Sequence, residues 1–228
     1  MCGLLDPAMM LHGYASGVFP MADSCDSDEL YWVEPRTRAI LPLDGFHVSR
    51  SLVKRLRSGR YRVTADLAFA AVLDGCADRP ETWINRPIAQ AMLALFEAGY
   101  AHSIDVWEGE AVVGGVYGVA IGRAFFAESM FSRRVDASKV ALAFLVARLR
   151  RAGFTLFDCQ FMTGHLASLG AIDVPRASYV RRLSEALDVA AAQAPDWGSL
   201  DGLLSSDNSP ACSAASGKRI AQLLGQTS

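Results

Sequence analysis

The sequence predicts an α+β fold built around a central sheet, and three observations carry that prediction. Apolar residues recur at helical spacing through Arg86–Ala98, where Ile88, Met92, Leu95 and Phe96 share a face. Three apolar runs of strand character follow one another at Ala101–Trp107, Ala111–Ile121 and Arg123–Phe131. A helical run at Ala137–Arg151 then leads into a further strand at Phe154–Phe161, closing a strand–loop–helix–strand unit. With 228 residues, 51% of them apolar, the chain can bury a sizeable core, so a wholly disordered chain is excluded.

The elements follow in order. A short helix over residues 8–19 ends near Gly17, and Phe19-Pro20-Met21 reads as a turn. Tyr31–Val33 and Ala39–Pro42 read as short strands, and Ser49 is placed to cap a basic helix over Arg50–Ser58. These make a small N-terminal unit over residues 1–60, which would be marginal alone. Leu67–Cys76 and Arg86–Ala98 suit helices, the second stopped by Gly99. Glu108-Gly109-Glu110 has the size and glycine of a hairpin turn. Asp136 is placed to cap the helix over Ala137–Arg151, and Tyr179–Ala192 reads as a late helix closing a second unit over residues 61–193. The stretch 194–228 is rich in Ser, Ala, Gly, Asp and Pro without period and is expected to be a flexible tail.

Composition narrows the function classes. No apolar run approaches the roughly 20 residues that span a bilayer, and the N-terminus lacks the basic flank of a signal peptide. Cys2, Cys25, Cys76, Cys159 and Cys212 are scattered and never form C-x-x-C, which argues against disulfides or zinc and for a reducing cytoplasm. The charge is uneven. Residues 1–30 carry no Lys or Arg, whereas Arg36, Arg38, Arg50, Lys54, Arg55, Arg57, Arg60 and Arg62 face only Asp44 over their span. Such a block can neutralise a phosphate backbone, and it reads equally as a solvated basic helix.

The order of elements resembles the acyl-CoA N-acyltransferase (GNAT) fold. There the loop ahead of the central helix holds a cofactor pyrophosphate against free helix amides. Here that loop, Ser132–Ser138, has no glycine, which argues against ordinary CoA binding.

Chemistry concentrates between Phe125 and Gln160. Strand alternation puts Leu156, Asp158 and Gln160 on one face and Phe157, Cys159 and Phe161 on the other. An Asp158 carboxylate accepting from the Gln160 amide would orient that amide, whose oxygen could then receive a hydrogen bond from an attacking amine. The same pair could simply satisfy a sheet edge. Glu128 shares a face with Phe126 and Met130 by the same spacing, and a carboxylate in that company needs an Arg or a cationic substrate as partner. Trp83 reads as core or as a flat platform for a base. H-E-x-x-H, G-x-S-x-G and P-loop patterns are absent, and a Cys159 nucleophile beside His165 is the weak choice.

Several runs, in order, resemble the leucyl/phenylalanyl-tRNA–protein transferase family. They are G-x-F-P-M (Gly17–Met21), Y-W-V-E-P-R (Tyr31–Arg36), H-V-S-R-S-L (His47–Leu52), T-W-I (Thr82–Ile84) and G-Y-A-H-S-I-D-V-W (Gly99–Trp107). V-G-G-V-Y-G-V-A-I-G (Val113–Gly122), E-S-M-F-S (Glu128–Ser132), A-S-K (Ala137–Lys139), D-C-Q (Asp158–Gln160) and H-L-A-S-L-G-A (His165–Ala171) continue the series. The resemblance implies a monomeric cytoplasmic enzyme without CoA or metal, with a small N-terminal domain on a GNAT-like domain. It would move Leu or Phe, with Met as a near-isostere, from aminoacyl-tRNA to the N-terminus of proteins that begin with Arg or Lys. The product is an N-degron of the bacterial N-end rule pathway.

The resemblance also implies roles. Asp158 and Gln160 would assist attack by the acceptor amine, with Glu128 by the acceptor or the aminoacyl group. Met130, Leu142, Leu145 and Leu149 would line an apolar pocket, and Trp83 would hold the terminal adenosine. The basic block, with Arg36, Arg50, Lys54, Arg55 and Arg57, would grip the acceptor stem through phosphates. Ala127 stands where the family usually has Gly, and Asp136 where it has Asn. Two other readings remain at this point: a GNAT-type acetyltransferase, and a non-catalytic RNA- or degron-binding module indifferent to loss of Asp158 or Gln160.

Overall fold

The structure, a computed structural model, describes residues 5–27, 29–188, 195, 197 and 210–225. Helix α1 (Pro7–Ala15) begins where Asp6 accepts a hydrogen bond from the Ala8 amide and Pro7 pre-sets the first turn. Strands β1 (Phe19–Met21) and β2 (Tyr31–Val33) form a two-stranded antiparallel ribbon, so Phe19-Pro20-Met21 is strand rather than turn. Next come β3 (Thr37–Ile40) and α2 (Arg50–Arg57), the latter capped by Ser49 accepting from the Leu52 amide. They are followed by β4 (Arg62–Ala65), α3 (Phe69–Ala77) and α4 (Arg86–Glu97).

The second half runs β5 (Ala101–Glu108), β6 (Ala111–Ile121), β7 (Ala124–Ser132), α5 (Ala137–Ala152), β8 (Leu156–Gln160) and α6 (Gly164–Ser168). It closes with β9 (Ile172–Pro175), α7 (Arg176–Leu187) and α8 (Pro210–Leu224).

Seven strands form one sheet in the order β4-β5-β6-β7-β8-β3-β9, antiparallel except for the parallel pair β7 and β8. Because a parallel pair needs a crossover, α5 joins those two strands and covers one face. Gly114 in β6 permits its approach, since a Cβ there would stand 2.5 Å from the Ala137 methyl. The core on that face gathers α5 with residues of α2 and α8, among them Leu142, Leu145, Leu149, Leu56 and Ile220. A second core on the opposite face joins α1, α3, α4 and α7 through Met10, Tyr14, Leu73, Met92 and Leu183. The result is a sheet covered on both sides. No helix among the described residues is long and apolar enough to cross a membrane.

Three further expectations change. Residues 210–225, expected within a flexible tail, hold α8, whose buried face runs Ser213, Ser216, Ile220 and Leu224. That spacing is helical, but its small residues hide the period from a reading of apolarity. The rest of the expected tail falls largely outside the described residues, as does the end of the helix expected to reach Ala192. Asp136 sits at the N-cap of α5 but in a left-handed conformation (φ +65°) and makes no capping bond. Its carboxylate is turned to Arg55 at 3.3 Å instead, and the Ser132 hydroxyl accepts from the Ser138 amide at the helix start. The division expected at residue 60 runs through the sheet, because β3 hydrogen-bonds between β8 and β9.

Candidate active site

The site follows from how β7 and β8 part. They pair only over Ala124–Phe126 and Leu156–Asp158. Beyond that point β7 stays with β6 as far as Ser132, while β8 stays with β3. Each strand carries a bulge at the fork. Glu128 is the extra residue between the pairs Gly118–Ala127 and Tyr117–Ser129, and Cys159 is the extra residue between Ile40–Asp158 and Ala39–Gln160. A wedge therefore opens in the sheet, and Glu128 and Gln160 are its first bridging pair: Gln160 Nε2 donates to Glu128 Oε1 at 2.7 Å.

In the wedge lies a cavity of about 690 Å³, lined by Glu128 and Gln160 together with Trp83, Met130 and Leu142. Leu145 and Leu149 do not reach it; both are fully buried in the core behind α5. The bulge also separates Glu128 from Met130. Met130 packs toward the α5 side, while Glu128 lies with Phe126 toward Tyr14, so the shared face expected from regular alternation is broken by one extra residue.

Asp158 and Gln160 are adjacent in the site, but their side chains do not bond to each other as expected. Asp158 Oδ1 accepts instead from the Gln160 backbone amide at 2.8 Å. The rest of the carboxylate is taken by Arg38, whose Nε reaches Oδ1 at 2.9 Å and Oδ2 at 3.1 Å and whose Nη2 reaches Oδ2 at 2.6 Å. The Tyr179 hydroxyl donates to Oδ2 at 2.8 Å. Arg38 lies between the rings of Phe19 and Tyr179, 4.5 and 4.7 Å from their centroids. Burial is the largest single influence and lowers its pKa, but the hydrogen bonds and charge of Asp158, with Tyr179 and Glu128, together outweigh it and raise the pKa. Gln160 takes a left-handed backbone (φ +63°), a conformation that costs energy in a non-glycine residue and is held here by the Asp158 bond.

Arg38 and Tyr179 are the functional candidates that the sequence hid. Arg38 counted toward the basic block, yet it is 1% exposed. The available signal was its position beside the apolar run Ala39-Ile40-Leu41: an Arg entering a buried strand implies a buried carboxylate.

Burial pushes the Glu128 carboxyl up to about 8. The Asp158 charge adds to the rise, while the Tyr14 hydroxyl, Arg38 and the Gln160 amide restrain it. Its Oε2 is buried and makes no hydrogen bond of ordinary geometry, although the Tyr14 hydroxyl is near enough to restrain the rise. At neutral pH Glu128 is therefore mostly an acid with a proton to donate. Cys159 is pushed far up by burial, so its thiol stays protonated and inert. His165 lines the cavity with its pKa lowered by burial and by Lys139, and is neutral at pH 7.

The basic residues divide. Arg50, Lys54 and Arg57 are exposed on α2, and Arg36 is exposed between β2 and β3. Arg55 is half-buried and committed to Asp136. That pair ties α2 to the start of α5, whose Ser138 and Leu142 line the cavity. On the cavity's rim Asp78 and Arg133 form an exposed ion pair at 2.9 Å.

The sequence profile of leucyl/phenylalanyl-tRNA protein transferase matches residues 40–184, and that of the same enzyme's N-terminal domain matches residues 3–36. The chain belongs to this family. Relatives named leucyl/phenylalanyl-tRNA–protein transferase include one from Cereibacter sphaeroides, 60% identical over 84% of this chain and 89% of the relative. One from Ruegeria pomeroyi is 58% identical over 82% and 89%, and one from Rhizorhabdus wittichii 52% identical over 98% and 99%. Membership makes the chain an aminoacyltransferase and agrees with the resemblance read from its motifs. Among solved structures, the C-terminal DUF2156 domain of a lysylphosphatidylglycerol synthetase from Agrobacterium fabrum overlaps 84% of this chain and 63% of that one. Its TM-score is 0.37 at 13% identity, too distant to bear on the site.

Proposed function

We propose that the chain transfers Leu or Phe from the 3′ end of aminoacyl-tRNA to the α-amine of proteins that begin with Arg or Lys, acting as a cytoplasmic monomer that marks them for the N-end rule pathway. The observation that carries the reading is the Glu128–Gln160 bridge at the head of a cavity walled by Met130 and Leu142. An aminoacyl ester is already activated, so the enzyme needs to align the amine and manage one proton. The nitrogen–carbon bond forms, the ester bond to the ribose oxygen breaks, and a proton lost by nitrogen ends on that oxygen. Gln160, its amide nitrogen held by Glu128, has its carbonyl oxygen to accept from the amine. The Glu128 acid hands its proton to the leaving ribose oxygen and takes back the one the amine nitrogen loses, so the carboxyl ends the step as it began.

The supporting features extend outward. Met130 and Leu142 offer apolar contact to a Leu or Phe side chain, a weak filter against Met because one methylene is worth only about 1–3 kcal/mol. Trp83 at the wall suits stacking of the terminal adenine. Asp78 gives a cationic first residue a carboxylate at the rim, in exchange for Arg133. Arg36, Arg50, Lys54 and Arg57 suit sequence-independent contacts to the acceptor stem. The parallel β7–α5–β8 unit that follows an antiparallel run supports a GNAT-like catalytic region, to which the N-terminal stretch contributes β3.

The deciding experiment mixes the protein with labelled Leu-tRNA or Phe-tRNA and peptides beginning with Arg, Lys, Asp or Glu. Labelling of the basic-start peptides, with none from free leucine, is the expected result. Labelling from acetyl-CoA instead, or tRNA binding that never yields labelled peptide, would overturn it.

A further inference from the structure

We propose that Arg38 and Tyr179 are positioning residues for the transfer step, acting on Gln160 through Asp158, and that Asp158 itself is a backbone anchor with no contact to substrate. The inference rests on the reading of Gln160 as the group that meets the acceptor amine.

The argument begins with the carboxylate's capacity. Two oxygens offer about four lone-pair sites. Arg38 Nε and Nη2, the Tyr179 hydroxyl and the Gln160 amide occupy them, and Asp158 is 0% exposed. No site remains for a substrate proton, and no surface remains for a substrate to touch. A relay in which Asp158 polarises the Gln160 side chain has no bond to run through, because the Gln160 amide nitrogen is bound to Glu128. What Asp158 does hold is the Gln160 backbone N–H. That bond offsets the cost of the left-handed turn, and the turn sends the side chain across the wedge to Glu128.

Arg38 and Tyr179 in turn decide where Asp158 sits. They come from β3 and α7, on either side of the chain's catalytic stretch, and Phe19 of β1 closes over the far face of the guanidinium. The bidentate bond fixes the plane of the carboxylate, and the tyrosine hydroxyl fixes its remaining edge. Losing that second restraint lets Asp158 rock, and Gln160 follows, while the cavity walls formed by Trp83, Met130 and Leu142 are untouched.

The test compares Tyr179→Phe, which keeps the ring against Arg38, with Arg38→Lys, each alone and combined with Gln160→Ala, in the full-length protein. Tyr179→Phe is expected to lower kcat for peptide labelling about tenfold with KM for Leu-tRNA unchanged, the loss of one hydrogen bond to a charged group. In the Gln160→Ala background the same change should cost nothing further, because its effect passes through Gln160. Arg38→Lys keeps the charge but not the fork, so it should fall well short of wild type.

A second readout is independent of turnover: hydrogen exchange of the Gln160 backbone amide should speed up about tenfold in Tyr179→Phe, with amides in α5 unaffected. Unchanged exchange at Gln160, or an equal fractional loss of kcat with and without the Gln160 side chain, overturns the proposal. Full labelling by Gln160→Ala would instead bring down the underlying assignment of Gln160, and absence of labelling by wild type would bring down the proposed function, while the exchange result still decides whether Tyr179 holds Gln160.

Discussion

A carboxyl held up to about 8 by burial keeps its proton at neutral pH, and this sets Glu128 apart from an ordinary surface acid. Its folded value lies above its unfolded value near 4.5, so the folded state binds the proton more tightly. The native state is then undisturbed by Glu128 below the unfolded value and loses stability as pH rises from there through about 8, where the folded group finally ionises. Glu128→Gln keeps a carbonyl to accept from Gln160 and removes that loss. Urea unfolding at pH 5 and pH 8.5 should show the variant gaining on wild type at the higher pH by an amount of order a few kcal/mol. A difference that stays flat with pH would mean that the group ionises normally. The same proton matters to catalysis. The acceptor amine must be neutral, which lifts the rate through about pH 7.7–8, and loss of the Glu128 proton lowers it beyond. A bell-shaped profile of kcat/KM is expected for wild type, with the alkaline limb missing in Glu128→Gln.

Helix α5 shows how an element can serve core and site at once, and where a reading of spacing fails. Val140, Leu142, Leu145, Val146 and Leu149 mark it as buried from sequence alone, and all are buried. Yet only Leu142 of the expected pocket residues on this helix lines the cavity, because the wedge opens beside its first turns. Leu145→Ala should therefore cost about 2–5 kcal/mol of stability and leave the ratio of Leu to Phe transfer unchanged per folded molecule. Leu142→Ala, at an equally buried position, should cost a similar amount of stability and also shift that ratio. Equal shifts from both would place Leu145 at the substrate after all. The strands teach the same lesson. Their existence and order were readable from apolar runs and turn residues, but the bulges at Glu128 and Cys159 were not, since an extra residue leaves no mark on composition. Those bulges decide which side chains meet. That is why the sequence shows Glu128, Asp158 and Gln160 within one stretch but not the bonds among them. Arg38 and Tyr179 lie 120 and 21 residues from Asp158, and only the fold brings them to it.

The molecule as a whole is a sheet with two cores, and the C-terminal helix closes one of them. Helix α8 crosses α2 at Gly217, where a Cβ would stand 1.8 Å from the Leu56 carbonyl oxygen. Backbone meets backbone at that crossing, and only a residue without a side chain permits it. Leu56 anchors the helix that carries Arg50, Lys54 and Arg57, so α8 braces the basic surface from behind. Gly217→Val must push the two helices apart and open the packing around Ile220, Ala221 and Leu224. Overpacking of this kind costs about 1–3 kcal/mol, which for a chain of this size lowers Tm by roughly 2–12 °C. Ala215→Val, at an exposed position on the same helix, should leave Tm within about a degree of wild type, as surface changes away from special contacts do. Limited proteolysis separates the two ways the molecule can respond. Cleavage confined to residues 210–225 in Gly217→Val would mean that α8 detaches from an otherwise intact sheet, whereas cleavage spreading into α2 would mean that the brace is required for the basic helix to stay folded. A Gly217→Val protein that melts with wild type and resists protease equally would show that α8 does not rest on α2.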